Sequence, residues 1–233
     1  MSTKSHNIIT LVCILIIMFC IVAFVLIAVD NRDKTNFVFN EHLQDTLVTI
    51  SYDDNVDSLS LKDVSYYILV MEASVNHTAS LYNPSNNSAY WNLYINNTFL
   101  KSIAKDNTIY VAIRDHIYYC EALANGYKLD ESEQKIISEE ADSIYNNMTG
   151  KQVDATALTL EDLYNIRYKI GLATKYITHL KNDEGLTEEE LNIDGKFYTE
   201  LLEKYVYKID NLWDNITLGN ITVDDTNITQ QEN

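Results

Sequence analysis

Residues 99–133 read FLKSIAKDNTIYVAIRDHIYYCEALANGYKLDESE. Ile103, Tyr110, Ile113, Ile117, Cys120 and Ala124 recur at spacings of three, four or seven, which places them in one stripe of a helix. Gly126 stands where that helix should stop, because a left-handed residue there satisfies the last carbonyls without a Cβ penalty. Just beyond it, Asp130 is placed to cap a second helix and Glu133 to favour its first turn. The spacing predicts helices over roughly Phe99–Asn125 and Asp130–Met148, and a mainly α fold.

Working outward, Thr46–Tyr52 is rich in β-branched and aromatic residues and reads as a short strand, the minor β element of the fold. Asp53-Asp54-Asn55 turns the chain, and the Ser60-x-x-Asp63 signal opens a helix reaching about Leu81. Its predicted inner side holds Val64, Tyr67, Ile68, Met71, Val75 and Thr78, and Pro84 breaks it. A short aromatic segment, Tyr90–Ile95, follows. Downstream, Gly150–Ala157 reads as a connection, Thr159 opens a helix to about Leu180, and Thr187-Glu-Glu-Glu190 is a capping box. The loose alternation of Ile216, Leu218, Ile221 and Val223 predicts a strand within Ile209–Asp224.

Ile8 to Val29 is an apolar run of 22 residues with no charge, Gly or Pro. As a helix it is about 33 Å long, enough for a hydrocarbon core of about 30 Å. A cleaved signal peptide has a shorter apolar run and a small-x-small site, and Leu26-Ile27-Ala28-Val29-Asp30 lacks the small residue two before Ala28. The expected organisation is a cytoplasmic head at 1–7, a single transmembrane helix at 8–29 and a juxtamembrane spacer at 30–45. A helical domain at 46–224 and a disordered tail at 225–233 complete it. The short head favours delivery of the bulk of the chain outside the cytoplasm; the sparse flanking Lys and Arg add little.

The formal net charge is −17, and after Val29 there are 16 basic against 34 acidic side chains. Such a field repels phosphate backbones and excludes nucleic acid as a partner. The 46% hydrophobic content and 17 tyrosines argue for a folded core rather than disorder. Cys120 is the only cysteine outside the apolar run, so no disulfide is expected in the domain, and a buried small hydrophobe is its ordinary role. Seven N-x-S/T sequons, at Asn76, Asn86, Asn96, Asn147, Asn215, Asn220 and Asn227, say little in so Asn- and Thr-rich a chain.

No Gly-rich phosphate loop, nucleophile elbow or EF-hand spacing occurs. The five histidines, among them His77 and His116, are read as showing no i, i+4 pairing and no association with cysteines. Neither a metal site nor a cofactor is expected, and the chain is expected not to be an enzyme.

One resemblance remains. The order of strand, turn, capped helix, aromatic segment with Trp91, long helix and Glu121–Glu133 corner resembles the N-terminal chaperone region of SurA/PrsA-type foldases of the parvulin family, over roughly residues 46–180. Ala122, Gly126, Leu129 and Glu133 match that family's Ala-x-x-x-Gly-x-x-Leu-x-x-x-Glu pattern. The family's prolyl-isomerase domain has no room here, since only Gly150–Ala157 stands where it would sit. The resemblance implies a membrane-anchored, extracytoplasmic SurA N-like holdase that binds unfolded or newly exported polypeptides without isomerase activity. Its expected client contacts are Tyr66, Tyr67, Tyr90, Trp91, Tyr94, Tyr118 and Tyr119, against the ordinary reading that such rings fill the core. The alternative is a membrane-tethered module serving one specific envelope or secretion partner.

Overall fold

The computed structural model describes residues 37–82 and 86–219. The expected anchor at 8–29, the head before it and the tail at 225–233 lie outside the described residues. Among the described residues no helix is long and apolar enough to cross a membrane. Its long helices are studded with charged side chains: the one over 100–124 carries Lys101, Lys105, Asp106, Arg114, Asp115 and Glu121. The expected fold class, a spanning helix joined to a SurA N-like helical lobe with one short β element, is therefore corrected for the described residues. The described chain is a mainly helical domain with a three-stranded and a two-stranded antiparallel sheet.

Strands β1 (Thr46–Tyr52) and β2 (Asn55–Ser60) form a hairpin, and the next element is α1 (Leu61–Tyr82). Ser60 caps α1 reciprocally, its hydroxyl accepting from the Asp63 amide at 3.1 Å while the Asp63 carboxylate accepts from the Ser60 amide at 2.8 Å. After α2 (Asn87–Trp91) comes a two-stranded ribbon, β3 (Tyr94–Ile95) and β4 (Thr98–Phe99). The main helices α3 (Leu100–Ala124), α4 (Glu131–Asn147) and α6 (Leu160–Asn182) follow, with short α5 (Gly150–Thr156) between the last two. The chain ends in α7 (Glu188–Leu191), α8 (Lys196–Leu201) and β5 (Tyr205–Ile209), which pairs antiparallel with β1.

The sheet order is β2-β1-β5, so β1 is central and buries Leu47, Val48 and Ile50. Two adjacent inward residues are possible because the β1–β2 register slips between Thr46 and Val48, a bulge that re-aims Leu47. Helix α6 packs against α3 on one side and α4 on the other, and α1 leans on α3. Tyr66, Leu69, Ala141, Leu158, Leu163 and Ile166 join α1, α4 and α6 in one apolar cluster. The buried face of α1 is wider than the predicted side, adding Leu61, Ser65, Tyr66, Leu69, Glu72 and Ala79. On α3, Ala104, Thr108, Ile109, Ala112 and His116 join the buried stripe, while Tyr110 and Ala124 face solvent.

Two sequence readings change. The described late strand is Tyr205–Ile209: the open edge of β1 takes it, Asp210 then starts a 3₁₀ turn at Asn211–Asn215, and of the expected Ile209–Asp224 strand the residues 220–224 lie outside the described residues. Gly150–Ala157 is not a plain connection, because Thr149 and Gln152 form a capping box that opens α5.

Candidate functional site

The seven rings expected to contact clients divide sharply. Trp91 is 5% exposed; its indole N–H donates to Asn76 Oδ1 at 2.8 Å and its ring lies against Gly219. Tyr118 is 0% exposed and its hydroxyl donates to the Leu191 carbonyl at 2.9 Å. Tyr66 is buried in the cluster described above, and Tyr67 packs against it edge-on with centroids 5.4 Å apart. These four rings build the core and brace it. Tyr119 lies on a groove of about 370 Å³ beside Lys62, Asp162 and Tyr168. Of the seven, only half-buried Tyr90 and exposed Tyr94 meet solvent-facing rings, those of Tyr82 and Phe99.

They do so on a patch that the local backbone creates. Asn96 and Asn97 both have positive φ, +50° and +64°, the geometry of a type I′ turn, and asparagine tolerates that region. The turn folds β3 onto β4, sets Tyr94 opposite Phe99, and brings their rings to 5.0 Å, edge to face. The Leu100 amide donates to the Leu93 carbonyl at 2.9 Å, closing the ribbon onto the start of α3. From the end of α1, Tyr82 stacks on Tyr90 at 5.9 Å. Leu81, Tyr82, Leu93, Tyr94, Ile95 and Phe99 are all exposed, Leu81 and Tyr82 by 72% and 77%. Residues 81–100 contain no charged side chain. The Leu81, Tyr82, Leu93, Ile95 and Phe99 contributions to the patch escaped the sequence reading; a two-Asn turn between apolar pairs is the signal that points to the ribbon.

The family-type residues have local structural work. Gly126, at φ +76°, and Tyr127 close α3 by donating to the Leu123 and Ala122 carbonyls at 3.0 and 2.9 Å. Leu129 and Ala122 are buried, and Glu133 completes the Asp130 capping box. Glu133 also receives Lys175 Nζ at 2.7 Å, tying α6 to this corner. Any helical corner needs these parts, so the pattern carries no site.

A second assembly stands where the β1–β2 hairpin meets the last turns of α3. Three groups converge on Asp57 Oδ2: the Tyr52 hydroxyl at 3.1 Å, His116 Nε2 at 3.2 Å and the Cys120 thiol at 3.6 Å. The His116 and Cys120 side chains are buried, whereas the Asp57 side chain is 41% exposed. Burial pushes the Cys120 thiol up to about 12, with the Asp57 charge adding to the rise. Burial also lowers His116, against the pull of Asp57, so its imidazole is neutral and donates. Burial alone would raise Asp57, but the bonds from His116 and Tyr52 outweigh it and hold the carboxyl below its ordinary range. A thiol held protonated is the reverse of an activated nucleophile, so a covalent mechanism has no support here. Carboxylate, imidazole and thiol ligand atoms within 4.8 Å of one another are a metal-competent set. The reading that no histidine associates with a cysteine is thereby corrected: His116 and Cys120 are one turn apart on α3, an i, i+4 pair.

No family model matches the chain, and neither the curated proteins nor the solved structures contain a match.

Proposed function

We propose that this chain is a polypeptide-binding, holdase-type module that captures apolar segments of unfolded or newly exported chains on the β3–β4 patch. The shared exposure of Leu81 and Tyr82 at the end of α1 and of Leu93, Tyr94, Ile95 and Phe99 on the ribbon carries the reading. Exposed apolar surface of this kind is disfavoured in a soluble domain unless something covers it. Its chemistry suits varied clients: tyrosine offers large, stiff contact area at low entropic cost, and neighbouring asparagine amides can bond an extended backbone. Residues 81–100 carry no charged side chain, and Lys101, just beyond them, sets its ammonium 5.6 Å from the Phe99 ring centroid, a cation at the edge of the patch. The acidic remainder keeps the binder soluble and disperses its complexes.

The test uses the fragment from residue 37 onward, which contains every described element, and a chemically denatured client diluted into buffer. The fragment is expected to suppress client aggregation at a few-fold molar excess. Tyr94→Ser with Phe99→Ser should remove most of that effect while leaving the unfolding midpoint nearly unchanged, because both side chains are exposed. No suppression by the unaltered fragment overturns the reading. Capture of one stoichiometric folded partner instead of heterogeneous unfolded chains would replace it with the specific-partner alternative.

A further inference from the structure

We infer that Asp57, His116 and Cys120 form a zinc(II) site, with three protein ligands and the fourth position open to solvent. His116 and Cys120 project from successive turns of α3, and Asp57 reaches them from β2 across 59 and 63 positions of sequence. The site therefore joins the hairpin to the main helix, a juxtaposition that only the folded chain makes.

Two of the three donor–donor distances match those a tetrahedral ion imposes, and the third, His116 Nε2 to Cys120 Sγ, lies within 4.8 Å. Zinc bonds of about 2.0–2.1 Å to N and O and about 2.3 Å to S, set at tetrahedral angles, put N and O about 3.3 Å apart and S and O about 3.6 Å apart. The Nε2–Oδ2 and Sγ–Oδ2 separations are 3.2 and 3.6 Å. One imidazole, one thiolate and one carboxylate form a borderline-soft donor set that suits zinc and suits magnesium or calcium poorly. In the metal-free arrangement the imidazole N–H and the thiol S–H both point at one carboxylate oxygen. A divalent ion takes the place of both hydrogens and bonds all three atoms at once: the thiol releases its proton to solvent, and the imidazole keeps its one proton, moved from Nε2 to Nδ1. The Tyr52 hydroxyl, donating to the same Asp57 oxygen, orients that ligand as outer-shell partners of metal sites do. The exposure of Asp57 opens the site to solvent on that side, which supplies an entry path.

The experiment uses the full chain, stripped with a chelator under reducing conditions and then titrated with zinc against a chromophoric competitor and, separately, with cobalt(II). One zinc per chain is expected, with cobalt giving a thiolate charge-transfer band and strong tetrahedral visible bands. Cys120→Ser should abolish the charge-transfer band, whereas Cys13→Ser with Cys20→Ser should leave it intact. Asp57→Asn and His116→Ala should each weaken zinc binding by more than tenfold, and Tyr52→Phe by about tenfold. Circular dichroism of each metal-free variant checks the fold, and zinc should raise the unfolding midpoint of the native chain but not of Cys120→Ser. Sub-stoichiometric zinc, a charge-transfer band that survives Cys120→Ser, or unchanged affinity in Asp57→Asn overturns the assignment.

Discussion

At the scale of single residues, Trp91 is a brace. Its indole N–H is satisfied by Asn76, and Gly219 approaches its ring so closely that a Cβ there would sit 2.8 Å from it. Gly219 has φ +94°, and its amide donates to Glu72 on α1. The indole therefore fastens the segment after β5 to the first helix. Trp91→Ala should destabilise the fold by about 3–5 kcal/mol, through lost packing and an unpaired Asn76 amide. Denaturant unfolding monitored by far-ultraviolet circular dichroism measures it. A change of only a few tenths of a kcal/mol would mean that the ring is not buried in solution.

At the scale of elements, helix starts decide where the chain turns. Thr159 and Asp162 cap α6, and the Asp162 carboxylate also receives Lys62 of α1 at 2.7 Å. Burial would raise the Asp162 carboxyl, but Lys62 and Thr159 outweigh burial and hold it below its ordinary range. A group with a lowered folded pKa contributes stability above its unfolded value, about 3.9 for Asp, and loses it as pH falls through the folded value. The unfolding midpoint should thus fall on acidification from about pH 4 downward. Asp162→Asn should be less stable at neutral pH and lose less on acidification. Parallel midpoint-against-pH curves for the two proteins would show that the α1–α6 pair has no part in acid sensitivity.

At the scale of the molecule, the apolar run of residues 8–29 is the feature that bears on placement. It leads to an expectation that the full chain is recovered with membranes and resists alkaline carbonate, while the fragment from residue 37 is released. Recovery of the full chain in the soluble fraction would remove the membrane assignment. What the sequence determined by itself is local: β1 at Thr46–Tyr52, the Ser60, Asp130 and Thr159 caps and the Gly126 stop. The caps and the stop act within one turn of chain, where hydrogen-bonding partners are near neighbours in sequence, and β1 shows in its own β-branched and aromatic composition. Tertiary structure alone decided which rings are buried, since a helical period places a tyrosine on a face without saying what covers that face. It also chose Tyr205–Ile209 to complete the sheet and set Asp57 beside His116 and Cys120. Those pairings depend on how the hairpin, α3 and the returning chain pack, and packing sums many weak contacts between residues far apart in sequence.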